Sequence, residues 1–270
     1  MQWLELTSDD LPQAIRDSQG LCVVPIGCLE RHGPHLQLGT DTLVADGIAR
    51  CAAEQEAAVV FPAFYLGQIS EARHLPGAVS LPHDLLLALL RNVLDEIGRN
   101  GFGKILICNA HGGNEGLLDY LMRSYQGKPS SYVPYVFHAY HTDRETRERW
   151  AQMRQHAGGH AVEAETSEVM HLLPEAVRME NVTDPADSAD RNMQAHLEGL
   201  RNPWGWYARF PTHFAGDPSA ASAEKGEFLV EAAAGQLVRA MKAVKADQVT
   251  PELAREFHEK AERAGLDAGE

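Results

Sequence analysis

The stretch Gly27–Asp41, GCLERHGPHLQLGTD, leaves the apolar run LCVVPI and at once presents Glu30, His32, His35 and Asp41. Imidazole and carboxylate are the donors that divalent ions such as Zn²⁺ or Mn²⁺ accept, and catalytic centres keep one position open for water. Glu30 and His32 are two residues apart, so on an extended loop both side chains reach the same side. Asp41 opens the next helical segment, where a carboxylate can bridge two ions. A second cluster is NAHGGN, in which His111 precedes two glycines that let backbone approach closely. A third, HAGGHAVEAETSE, carries His156, His160, Glu163, Glu165 and Glu168. A single loop histidine is most often a surface group. Three acid-and-histidine clusters, each following an apolar run and with few Lys or Arg between them, point to one metal site.

Four runs rich in β-branched or aromatic residues read as buried parallel strands: residues 21–27, 58–65, 104–110 and 132–140. Helical spacing fills the segments between them, at 41–55, 83–101 and 114–127. A further helix is expected over 163–173, ending before Pro174, and two more over 224–246 and 251–265. Strand alternating with helix predicts a doubly wound α/β sheet in one domain spanning 1–270. In such a sheet the loops at the carboxyl ends of the strands line one crevice, which gathers the three clusters. Residues 181–222 lack periodicity and read as a surface excursion, and Trp204 and Trp206 within it either wall a pocket or cover the core. His138, His141, His213 and the run DRETRER read as solvated surface. His35 is expected to orient a ligand or cap its loop. Arg73 and His74 stand on the loop after the second strand, open to either pocket or solvent. Ser167 lacks the G-x-S-x-G context of a nucleophile.

The net charge of −14 and the absence of a basic stripe exclude nucleic acid as a natural partner. No apolar run reaches membrane-spanning length, and the start MQWLELTSDD is not a secretory signal, so a cytoplasmic location is expected. A dinucleotide site needs G-x-G-x-x-G after the first strand, which GCLERHG does not supply. Cys22, Cys28, Cys51 and Cys108 form no C-x-x-C pair and read as reduced thiols, of which Cys28 adjoins the first cluster.

In chain order, VVPIGCLERHGPHLQLGTD, HLPGAVSL, NAHGGN, HAVEAETSEVM with LLPEAV, and GDPSAASAEKG together resemble the creatininase family of creatinine amidohydrolase-like proteins, in its HGGN form. The resemblance implies a three-layer α/β/α fold with a mostly parallel sheet. It implies a metal-dependent amidohydrolase with two divalent metal ions, Zn²⁺ first and Mn²⁺ or Fe²⁺ as alternatives, acting on a small-molecule amide. It also implies a homo-oligomer, with a hexamer among the options. Glu30, His32, Asp41 and His111 stand where the family holds its ions, Asp41 in the bridging position. Creatininase has a metal-binding glutamate where this chain has Gly113, and Glu163 is the expected replacement, because HGGN relatives read HAGExETS there. His160 matches the family's proton donor and Glu165 the acid that follows it, so these two are the expected catalytic pair. Trp150 is the one tryptophan near the place of the creatininase lid, so a cyclic amide or a formamide is expected rather than creatinine. The alternatives are a peptide-trimming metallopeptidase of the same family and a metal-binding oligomer without turnover. His160 and Glu165, which bare metal binding does not require, favour an enzyme.

Overall fold

Four strands, β1 (Leu21–Ile26), β2 (Val59–Val60), β3 (Lys104–Asn109) and β4 (Val133–His138), pair in the order β2-β1-β3-β4, all parallel. The structure is a computed structural model that describes residues 1–182 and 185–264. Gly265, expected as the last residue of the C-terminal helix, lies outside the described residues, as do Thr183 and Asp184 of the irregular excursion. In chain order the helices are α1 (Leu11–Asp17), α2 (Thr40–Gln55), α3 (His83–Arg99), α4 (Glu115–Ser124), α5 (Arg144–Met153), α6 (Glu163–Leu172), α7 (Gly205–Arg209), α8 (Ala223–Ala246) and α9 (Val249–Ala264).

Alternate residues of a strand face opposite sides of its sheet, and here both sides are buried. Leu21 and Val23 of β1 join Leu106 and Cys108 of β3 in a core shared with Ile48 of α2, Val169 of α6 and Leu237 of α8. Cys22, Val24 and Ile26 join Ile105 and Ile107 in a second core, with Leu86, Leu90 and Leu94 of α3 and Leu118 of α4. Two cores on one sheet make the three-layer α/β/α arrangement expected from the sequence. It explains why β1 and β3 read as continuous apolar runs. Helices α6 and α8 pack backbone to backbone at Gly226, where a Cβ would lie 1.8 Å from the Ser167 carbonyl oxygen. That contact clamps the helix that carries Glu165 and Glu168 against the body of the fold.

One expectation changes. The second strand shrinks to Val59–Val60 because the ladder slips: the Phe61 N–H donates to the Val23 carbonyl, but the next bond, to the Pro25 carbonyl, comes from Phe64 and not from Ala63, one residue late. The chain returns to the sheet only at an isolated Ile26–Phe64 bridge. The run DRETRER is solvated surface as expected, exposed except at Thr146, and lies in helix α5, started by Asp143, whose carboxylate accepts from the Thr146 N–H at 2.9 Å. No helix among the described residues is long and apolar enough to cross a membrane.

The chain moves outward from β1 to β2 on one side and from β3 to β4 on the other. The switch point therefore falls between β1 and β3, where open α/β sheets bind their ligands. The loop after β1 carries Glu30 and His32, and the loop after β3 carries His111.

Candidate metal centre

Glu30, His32, Asp41 and His111 are all buried, at 1%, 0%, 4% and 6% exposure, which polar side chains tolerate only when something compensates their charge. Asp41 lies at the centre. Its Oδ1 is 2.8 Å from His32 Nε2 and its Oδ2 is 2.7 Å from His111 Nδ1. Glu30 Oε1 lies 3.1 Å from His111 Nδ1 and 3.8 Å from His32 Nε2, without hydrogen-bond geometry to either. A buried carboxylate oxygen left unsatisfied beside imidazole nitrogens suits a cation, so the residues present fit a divalent ion.

The outer nitrogen of each imidazole is fixed by backbone. His111 Nε2 donates to the Gln68 carbonyl at 2.8 Å, and His32 Nδ1 approaches the Glu30 carbonyl at 3.4 Å. A carbonyl only accepts, so the inner nitrogens, His111 Nδ1 and His32 Nε2, are the ones free to ligate. Ligand atoms within 4.8 Å of one another form three overlapping groups: Cys28, Glu30, Asp41 and His111; His32, His160 and Glu165; and Glu30, His160 and His213. These are groups among the described residues, and the second and third share His160.

Charge balance follows from this packing. Burial alone would raise both carboxyls; His111 and His160 overcome it at Glu30, and His32 and His111 at Asp41, so both sit below the usual carboxylate range. Burial disfavours the His32 cation, yet Asp41 and Glu30 push the ring up to about 10. His111 is raised well above the ordinary imidazole range by the same two acids, again against burial. Burial, then Asp41, pushes the Cys28 thiol well up. In the metal-free protein, protons on His32 and His111 hold the places of cations.

His160 differs. Burial and the neighbouring His32 lower it below the ordinary range, outweighing Glu30 and Glu165. Its Nε2 is 2.9 Å from the Arg31 carbonyl, so the neutral ring carries its proton on that nitrogen, 4.0 Å from Glu30 Oε1. Glu165 accepts from the Ala161 N–H, fixing the turn next to His160.

The expected replacement ligand, Glu163, is not brought to the centre. Its carboxylate accepts from the Gln155 N–H at 2.9 Å, the His156 N–H at 2.8 Å and Lys225 Nζ at 2.5 Å, and holds the loop before α6 onto α8. Being first in α6, it points back along the loop, whereas Glu165 and Glu168 line the cavity. Glu168 is raised to about 8 by burial, by Glu165 and by Asp41. Gly113 is constrained too, since a Cβ there would lie 2.4 Å from His111 Nε2 and 2.8 Å from Gln68 Oε1.

Sequence reasoning missed His213. It is buried, not solvated, with Nε2 2.5 Å from Glu30 Oε2 and Nδ1 accepting from Trp206 Nε1 at 2.8 Å. It has a left-handed backbone, φ 55°, which costs a non-glycine residue about 1–3 kcal/mol and is kept where the surroundings enforce it. Paired hydrogen bonds of 3.0 Å between His160 and Ala215 tie this segment to the His160 loop. The only signal was proximity in sequence to GDPSAAS. Trp206 lines the cavity, while Trp204 is exposed. His35 bonds Thr166 Oγ1 at 2.9 Å and supports the loop, His74 bonds the Pro211 carbonyl outside the cavity, and Ser167 donates to the Glu163 carbonyl. His156 faces Asp217 rather than the centre.

The cavity has a volume of about 410 Å³. A larger groove of about 1200 Å³, between α9 and β4, contains none of these residues.

Residues 4–241 match the family described as "Creatinine amidohydrolase" (Creatininase). The chain is 30% identical over 218 residues to the mycofactocin precursor peptide peptidase of Mycolicibacterium smegmatis, covering 77% of this chain and 78% of that protein. A solved structure titled "Creatininase Mn" superposes with a TM-score of 0.75 at 21% identity, covering 91% of this chain and 99% of that one. A mutant creatininase of "Zn-Zn type" gives 0.73 at 21% identity, covering 91% and 98%. The sheet order, the two helical layers and the match over most of the sequence agree: the chain belongs to the creatininase family.

Proposed function

We propose that the protein is a divalent-metal-dependent hydrolase that cleaves a carbon–nitrogen amide bond, of a cyclic amide or a formamide, in a small molecule. The observation that carries this reading is the convergence on one cavity of buried Glu30, Asp41 and His111 and half-buried Glu165, with buried His32 grouped beside Glu165, and with a neutral histidine, His160, that ligation does not need. Zinc and manganese forms among the structural relatives support the choice of ions. Divalent ions at this centre would polarise the substrate carbonyl and lower the pKa of a water toward neutrality.

The chain's own residues do the rest. Asp41, between the two imidazoles, has one oxygen for each ion position. Glu30 and His111 would hold an ion at the first position, and His32 and Glu165 one at the second. His160 stays neutral near pH 7 and donates its Nε2–H to the Arg31 carbonyl, which leaves Nδ1 free to take a proton from the attacking water and, as the imidazolium, to hand it to the leaving nitrogen. Trp206 walls the cavity. A cavity of about 410 Å³ lies near the lower end of the range for small-molecule sites, which favours a compact substrate.

A second reading, trimming of a short peptide, is favoured by the relative from Mycolicibacterium smegmatis. The deciding experiment assays metal-loaded protein on cyclic amides, formamides and short peptides, with and without chelator. Chelator-sensitive turnover of the first two classes supports the proposal, and turnover of peptides alone supports the second reading. No metal-dependent hydrolysis of any of them rejects both and leaves a metal-binding oligomer.

A further inference from the structure

Cys28 is fully buried, and its Sγ lies 3.3 Å from Asp41 Oδ2. Behind it are Ile69 and Ala72, a small apolar cluster that offers the thiol no polar partner. On its other side are the ligand atoms of Glu30, Asp41 and His111, all four within 4.8 Å of one another. Glu30 Oε1, almost completely buried, has no hydrogen-bond partner there. Gly113 cannot bring a side chain to this position, because a Cβ would collide with His111 Nε2 and Gln68 Oε1.

We propose that Cys28 is itself a ligand, completing a Cys28–Glu30–Asp41–His111 set whose thiolate biases the first ion position toward Zn²⁺ over Mn²⁺. The proposal rests on the metal-hydrolase reading above and deepens it by assigning a sulfur donor and a metal preference. Tetrahedral zinc with Zn–S near 2.3 Å and Zn–O near 2.0 Å separates sulfur from oxygen by roughly 3.5 Å. The observed 3.3 Å between Cys28 Sγ and Asp41 Oδ2 is close to that separation, while His111 Nδ1, 2.7 Å from the same oxygen in the metal-free protein, would move out to about 3.3 Å on binding the ion. Coordination removes the thiol proton, which leaves to solvent through the cavity, and the sulfur lone pair forms the bond to the ion. Thiolate prefers zinc, whereas an all-oxygen-and-imidazole set accepts manganese readily.

The test loads metal-free protein with Co²⁺, whose visible bands report binding and whose near-ultraviolet band reports a thiolate ligand. Wild type should show both, and Cys28→Ser the visible bands alone. Zn²⁺ affinity, measured by chelator competition, should fall in Cys28→Ser by at least about tenfold, since even outer-shell partners cost 10–100-fold. Mn²⁺ affinity should change much less. Visible bands without the near-ultraviolet band in wild type would overturn the sulfur ligand and leave the metal centre standing. No cobalt bands at all would overturn both. Unchanged zinc affinity in Cys28→Ser would also overturn the ligand. Should the variant fail to fold, zinc-edge X-ray absorption of wild type decides: a sulfur shell near 2.3 Å supports the proposal, and a shell of nitrogen and oxygen alone rejects it.

Discussion

His213 Nε2 meets Glu30 Oε2 at 2.5 Å, across 183 residues of sequence, and Trp206 Nε1 closes the chain on His213 Nδ1 at 2.8 Å. An indole nitrogen only donates, so Nδ1 accepts and Nε2 carries the proton given to Glu30. One carboxylate oxygen is thereby anchored and the other, Oε1, turned toward the ion position. His213→Ala should weaken binding of the first ion about 10–100-fold, as loss of an orienting partner does elsewhere. Trp206→Phe, which removes only the far donor, should cost less. Chelator competition on both variants checks this, and equal affinity in His213→Ala and wild type would show that Glu30 needs no anchor.

His160 should behave differently, because its proton and not its ligation is what the chemistry uses. His160→Ala should lower kcat by about 10²–10⁴-fold on whichever amide is turned over. Metal content per folded chain should stay at the wild-type level. Metal analysis beside steady-state kinetics separates the two, and loss of metal in step with activity would make His160 a ligand instead.

The protonated state of the metal-free centre predicts how binding depends on pH. His32, at about 10, and His111, raised well above the ordinary range, both hold protons at neutral pH. An ion must displace one from each, so apparent affinity rises with pH through the neutral range. Calorimetry in buffers of different ionisation enthalpy reads this release directly. The same shift makes metal-free stability from His32 complete below its unfolded value of 6.5 and lost as pH rises through about 10. Metal binding without proton release would mean that the imidazoles are neutral in the free protein.

Most of the centre was legible because its parts follow buried strands. β1 and β3 are apolar on both faces, which sets them apart in a chain of ordinary composition, and Glu30, His32 and His111 sit directly beyond their ends. His213 was not legible. Its segment has no periodicity, and its role exists only through a contact with Glu30 far away in sequence. Glu163 misled for a related reason: the resemblance to HGGN relatives placed an acid in the correct segment, but the first residue of α6 points to Lys225 and later residues of the helix face the cavity. The short β2 reflects an extra residue between the Phe61 and Phe64 bonds to β1, a backbone effect that the surrounding aromatic and β-branched residues hide.

Glu168 gives a pH signature of the opposite charge type. Its carboxyl sits at about 8, far above its ordinary 4.5, because burial, Glu165 and Asp41 all oppose ionisation. A raised acid stabilises the fold below its unfolded pKa, and that contribution is lost as pH climbs through the folded value. Metal-free wild type should therefore lose stability between about pH 4.5 and 8 relative to Glu168→Gln, which cannot ionise. Denaturant midpoints for both proteins at pH 5 and pH 8.5 measure the difference. Parallel curves would show that Glu168 is ionised throughout.

Glu163 provides the last test, because its two possible roles give opposite results. As a metal ligand, its loss would empty a site and leave the fold largely intact. As the partner of Lys225 and of the Gln155 and His156 amides, its loss would strand a mostly buried ammonium and two backbone donors. Breaking a buried pair from one side costs about 3–5 kcal/mol, and the lower end applies here because Lys225 keeps 13% of its side chain exposed. Glu163→Gln should restore part of that stability, since an amide oxygen can still accept from the loop. Denaturant unfolding, with metal counted per folded chain, decides between them. Loss of stability at constant metal content supports the clamp between α6 and α8, and loss of metal at constant stability would return Glu163 to the centre.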